Sequence, residues 1–121
     1  MKDCQTNIDE LKEAVARFAK ERDWEQFHSL KNLSMSIAIE AAELMERFQW
    51  SSGASSEEQA ADREDLEAIE EELSDVFIYL LQFANRAGID MSGAAERKLA
   101  LNALKYPIAK SRGRSEKYDS L

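Results

Sequence analysis

Apolar residues recur at three- and four-residue spacing along most of the chain, and no stretch of any length alternates strictly between apolar and polar positions. That periodicity predicts helices and excludes half-buried strands, so the fold class read from the sequence is all-α. Leu11, Val15, Phe18 and Ala19 mark one face of a first helix over about residues 8–21, with Asn7 or Asp9 near its N-cap. The segment RDWEQFHSLKN then places two aromatics and the only histidine in a short turn or single helical turn. A second helix is expected over about residues 30–48. SSGASS, at 51–56, reads as a loop of small polar residues. Ser55 and Glu58 have capping-box spacing, so a long third helix is expected to begin there. It should run to Ala87, where Gly88 stops it in a left-handed cap. A fourth helix, over about residues 92–104, is ended by Pro107.

The third helix is acidic in its first half, while VFIYLLQFA in its second half is apolar nearly all round. Such a segment needs cover from other helices, in the same chain or in a partner subunit. The expected architecture is a four-helix bundle. One domain is expected over residues 1–110, followed by a basic, polar tail over residues 111–121. There is no internal repeat of fixed period.

Charge and composition narrow the function. A net charge of −8 argues against gripping a nucleic acid polymer through its phosphates. An acidic protein that handles phosphate needs metal ions or a local basic patch. No apolar run approaches 18 residues, and the first residues lack a basic-then-hydrophobic order. Neither a membrane span nor a signal peptide is therefore expected. Cys4 is alone, so no intrachain disulfide forms and a reducing, cytoplasmic location is the expectation.

The second helix contains an anomaly. At about 100° per residue, Leu33, Ile37, Leu44 and Phe48 fall within roughly 60° of one another, and Glu40 falls among them. An unpaired carboxylate facing a core is costly. Glu43 lies one turn further on, and Glu72 with Asp75 repeats the spacing in EELSD. Residues three apart share one side of a helix. Side by side on antiparallel helices, the two pairs would offer oxygen ligands to a hard cation such as Mg²⁺, which takes a few carboxylates and substrate phosphates. Acidic residues fill 24 of 121 positions, so spacing alone is weak evidence. Glu64, Glu67 and Glu70 repeat it and read as a solvated face. Context separates the pairs, because Glu40 sits inside the apolar stripe and Asp75 opens the densest apolar run. Converging there, four carboxylates repel one another and take up protons unless a cation intervenes.

At these residues the sequence resembles a known family. EAAE, followed after an interval by EELSD, is similar to the divided acidic motif of the MazG-like, all-α nucleotide pyrophosphohydrolases. RDWEQFH, KNL, FQW, EELSDVFIYL and KxxxNxxKYP resemble, in that order, the branch containing the dCTP pyrophosphatases, and the closing SEKYDSL is similar too. The resemblance implies Mg²⁺ held by Glu40, Glu43, Glu72 and Asp75, and hydrolysis of a nucleoside triphosphate to the monophosphate and pyrophosphate. Glu43 is the candidate for orienting or deprotonating the attacking water, although the sequence does not separate its role from its neighbours'. The resemblance further implies a nucleoside pocket formed with Trp24, Phe27 and His28, Trp50 packing near the base, and Tyr79 contacting substrate. Lys98, Asn102 and Lys105, with Tyr106 as an alternative, would reach the phosphates. It also implies a homodimer, or a homotetramer built from dimers. Val15 departs from the pattern: eukaryotic dCTP-cleaving relatives can carry a polar, base-reading residue there, so strict cytosine selection does not follow.

Without the resemblance each of these residues has a plainer role. His28 would be a surface or half-buried imidazole, Trp24 and Trp50 core fillers, and Lys98 a solvated lysine. Two alternatives stand beside the nucleotide-pool reading: a non-enzymatic acidic bundle that binds a partner through its third helix, and a hydrolase selective for damaged or modified nucleotides.

Overall fold

The first helix, α1 (Ile8–Glu21), begins where the sequence places it. Asn7 accepts from the Glu10 backbone N–H at 3.0 Å, and the Glu10 carboxylate accepts from the Asn7 N–H at 2.8 Å. This reciprocal cap satisfies two otherwise orphaned donors and fixes the start of the helix. The computed structural model describes all residues from Met1 to Leu121 and contains helices and turns only. They fall into two compact units, residues 1–88 and 89–121.

In the first unit α1 ends without glycine. Asp23 adopts a left-handed φ of 54°. The Trp24 N–H reaches back to the Ala19 carbonyl and the Asp23 N–H to the Lys20 carbonyl, each at 3.0 Å. These are the two bonds of a Schellman turn, with an aspartate in the position glycine usually holds. A 3₁₀ turn (Glu25–Phe27) follows, then α2 (Leu30–Glu46), capped by Ser29. The second helix thus ends two residues before the expected Phe48. Its last carbonyls are taken by tightening i→i−3 bonds from Arg47, Phe48 and Gln49.

The expected single third helix is two helices, α3 (Ser56–Ala61) and α4 (Arg63–Ala87). Ser55 makes no side-chain cap. Asp62 breaks the run with extended backbone and caps α4 by accepting from the Asp65 N–H at 3.2 Å. Glu64 and Asp65 in that first turn suit the positive end of the helix dipole. At the other end Gly88 takes φ 66° and closes α4 as the sequence requires.

Helix α4 is the spine of this unit, with α1, α2 and α3 all packed against it. Val15, Ala19, Leu33, Leu81 and Ala84 form the buried apolar core, and Gln82 is the single buried polar residue. Two amides tie α4 to α1: Gln82 Nε2 donates to the Val15 carbonyl at 3.1 Å and Asn85 Nδ2 to the Lys12 carbonyl at 3.0 Å.

The second unit holds α5 (Met91–Lys105), Pro107, and α6 (Ile108–Ser111). Residues 118–120 make a final 3₁₀ turn. Tyr118 packs edge-on against Tyr106, with ring centroids 6.1 Å apart, and Lys105 Nζ lies 5.1 Å from the Tyr118 ring centre. No helix in the chain is long and apolar enough to cross a membrane.

Candidate active site

The Schellman turn and the 3₁₀ turn aim the aromatic segment. Reversal at Asp23 returns Trp24 onto α1, edge-on to Phe18 at 5.7 Å. Asn32, in the first turn of α2, donates from Nδ2 to the Phe27 carbonyl at 3.0 Å and so ties the turn to that helix. Trp24, Phe27, His28 and Tyr79 then line one cleft of about 260 Å³, joined by Asn32, Leu33 and Ser36. Four of the residues expected in a nucleoside pocket therefore meet, although they come from a turn and from α4.

One helical turn along, the carboxylates converge. Oxygens of Glu40, Glu43 and Glu72 lie within 4.8 Å of one another. Glu40 and Glu43 come from α2 and Glu72 from α4. Running down α2 from Glu43 through Glu40 to Ser36 corresponds to running up α4 from Glu72 to Tyr79, so the two helices are antiparallel at the site. Asp75 lies outside this three-residue group. Its charge still acts on Glu40, and its side chain borders an open acidic surface formed with Glu67, Glu70, Glu71 and Ser74.

Glu40 carries the strain of this arrangement. Burial, then a hydrogen bond and charge from Glu43, then the charges of Asp75 and Glu72, push its carboxyl from 4.5 up to about 7. Its Oε2 is buried with no hydrogen-bond partner. A buried carboxylate oxygen without a donor is destabilising, and a divalent cation is the ligand such an oxygen suits. The residues present therefore fit a metal ion.

Arg47 is a member of the site that motif reading passed over. Its Nη2 pairs with Glu72 Oε1 at 3.2 Å. Glu72's side chain is only 16% exposed, so this pair is better shielded than the others in the chain. The Arg47 backbone carbonyl accepts from Gln59 Nε2, and Ser51 Oγ donates to Gln59 Oε1. Two signals pointed to such neighbours: Arg47 is four residues past Glu43, and Ser36 four before Glu40, both on the carboxylate face.

The other expected contacts come from other elements. Trp50 follows α2 in the 47–55 connection and is 92% exposed, outside the aromatic cleft. Lys98 and Asn102 lie one turn apart on α5, and Lys105 ends that helix.

A second cavity of about 230 Å³ shares His28 with the aromatic cleft and reaches Gln82 and Asn85. Their amides are the ones held by α1 carbonyls.

The profile of the MazG-like family matches residues 35–121, which include both acidic pairs. The chain belongs to the MazG-like family. It is 41% identical to the dCTP pyrophosphatase 1 of Rattus norvegicus over 97% of this chain and 69% of that protein. Identity to the Homo sapiens protein of the same name is 38%, over the same shares. A crystal structure of a pyrophosphatase from Archaeoglobus fulgidus superposes with a TM-score of 0.78 and 38% identity, covering 88% of this chain and 98% of that one. The all-helical fold and the acidic site thus sit in a MazG-like framework across most of the sequence.

Proposed function

We propose that this chain hydrolyses dCTP and related deoxynucleoside triphosphates between the α and β phosphorus atoms, in an Mg²⁺-dependent reaction that releases the monophosphate and pyrophosphate. Its enzyme class, nucleoside triphosphate pyrophosphohydrolase, follows from the family and the relatives named above. They displace the reading as a non-enzymatic interaction bundle. The observation that carries the finer proposal is the meeting of three carboxylates from two helices around an unpartnered Glu40 oxygen, one turn from an aromatic cleft.

Glu40, Glu43 and Glu72, with Asp75 from the neighbouring turn of α4, would hold Mg²⁺, which would supply charge neutralisation for phosphate oxygens and a lowered pKa for a water molecule. Glu43 is assigned to orient the attacking water and accept its proton. Trp24 and Phe27 offer flat faces to the base, where stacking contributes about 1–3 kcal/mol and tolerates different bases. His28 and Tyr79 border the same cleft and are assigned to hydrogen-bonding contacts with the nucleoside. Trp50 as a base-packing residue, and Lys98, Asn102 and Lys105 as phosphate contacts, rest on the sequence motifs alone. The four-helix bundle, its assembly into dimers or dimers of dimers, the division into a domain over 1–110 with a tail over 111–121, and a cytoplasmic role in nucleotide-pool house-cleaning belong to the same proposal.

The decisive assay is a panel of nucleoside triphosphates, followed by pyrophosphate release with and without Mg²⁺. Pyrophosphate formation only with metal, and its loss in folded Glu40→Ala and Asp75→Ala variants, is the expected result. Near-normal turnover in either variant overturns the metal assignment. A strong preference for oxidised or alkylated nucleotides over dCTP would favour the damaged-nucleotide alternative.

A further inference from the structure

Gln82 is buried to 8% exposure in the middle of an otherwise apolar run, and only half of its amide is spoken for. Its Nε2 donates to the Val15 carbonyl at 3.1 Å. A carbonyl can only accept, so chemistry fixes which end of the amide faces α1. Turning the amide over would set two acceptors against each other and leave the NH₂ group without that partner. The Asn85 amide is fixed in the same way by the Lys12 carbonyl, at 3.0 Å. Both residues border the 230 Å³ cavity, whose side walls include the small Ala16 and Ala19. Their amide oxygens are the ends not held by α1. Neither oxygen is among the buried polar atoms that lack a partner, and the cavity they border, which Glu25 and Arg86 also line, is where a ligand would meet them.

We infer that the side-chain oxygen of Gln82, seconded by that of Asn85, reads the base, selecting nucleotides that present an exocyclic amino group over those that present a keto oxygen in its place. Cytosine and adenine donate from that amine to the waiting acceptor. Uracil, thymine and hypoxanthine set an oxygen against it. His28 lines both this cavity and the aromatic cleft, so the two spaces adjoin at that residue. On α4, Gln82 lies three residues beyond Tyr79 and seven beyond Asp75. At 1.5 Å per residue that is roughly 10 Å from Asp75 and roughly 15 Å from Glu72, within reach of a nucleotide extended from its phosphates to the far edge of its base. This inference rests on the pyrophosphohydrolase reading and specifies the substrate class of that same site.

The test uses substrate pairs that differ by amine against keto oxygen alone: dCTP with dUTP, and dATP with dITP, each with Mg²⁺. Wild-type kcat/KM should favour the amino member of each pair by roughly tenfold to a hundredfold, the range for one buried hydrogen bond gained against one acceptor left facing another. In Gln82→Leu, kcat/KM for dCTP should fall and that for dUTP should rise as the opposing acceptor is removed, so that the ratio of the two approaches one. Calorimetric binding of a non-hydrolysable α,β-methylene dCTP should weaken, and binding of the dUTP analogue should not. Equal loss for both members would make Gln82 a packing residue and overturn the inference. If Gln82→Leu does not fold, the wild-type ratios decide, because a wild type that cleaves both members equally also overturns it while the parent reading stands. Failure to cleave any triphosphate with Mg²⁺ present removes the parent reading and this inference together.

Discussion

Glu40 keeps its proton to about pH 7 because burial and three neighbouring acids disfavour its charge. A carboxyl whose folded value lies above its unfolded one contributes stability that is fully present below about pH 4.5 and lost as pH rises through 7. Measured in EDTA, the melting temperature of Glu40→Gln should match wild type near pH 4.5 and exceed it increasingly up to pH 8. Added Mg²⁺ should raise wild type and leave the variant nearly unmoved, because the metal replaces the proton at that oxygen. The variant should be catalytically silent. At the same site Arg47 is paired with Glu72, a carboxylate that the proposed metal would have to share. A partly exposed pair of this kind is worth about 1 kcal/mol or less, so Arg47→Ala should tighten Mg²⁺ or Mn²⁺ binding by roughly twofold to fivefold in a calorimetric titration. Weaker binding would show that Arg47 organises the carboxylates.

At the scale of elements, the site depends on how helices start and stop. The Schellman turn at Asp23 swings Trp24 back over α1, and Asn32 holds the 3₁₀ turn against α2, so the aromatic wall of the cleft is built from caps. Asp62 has the matching task at the start of α4. Replacing it with Ala should cost about 0.5–2 kcal/mol in denaturant unfolding, the usual range for a lost N-cap. The DRED segment carried this cap's signal, an Asp three residues before another acid, but the stronger-looking SSEE pattern drew the expected helix start upstream. Ser55 makes no side-chain cap for the short α3 that follows it. Helix formers continue through the junction, so no glycine or proline marks the break.

At the scale of the molecule, the buried core is small and lies wholly within residues 1–88. Leu66, Leu73, Phe77 and Leu80 share one stripe of α4 and are all exposed. An apolar stripe of that length is the surface a second copy of the chain would cover under the proposed assembly. Sedimentation should therefore find a dimer or larger species, and Leu73→Lys with Phe77→Lys should shift it towards monomer. A wild-type monomer that still turns over nucleotide would refute the assembly and leave the chemistry intact.

The sequence by itself determined whatever depends on neighbours within a few turns of chain. Helical periodicity, a first cap at Asn7 or Asp9, the Gly88 stop and the one-sided pairing of Glu40 with Glu43 follow from local geometry that repeats along the chain. The ordered motifs added a family and an expected set of ligands. Tertiary structure alone decided which side chains meet across the fold. It brought Glu72 into the group with Glu40 and Glu43 and left Asp75 at its edge. It joined Arg47 to a carboxylate 25 residues away and Gln82 to a carbonyl 67 residues away. It also left Trp50 in the open, outside the cleft that Trp24 enters. Contacts of that kind have no period along the chain, because they are fixed by how helices pack against one another.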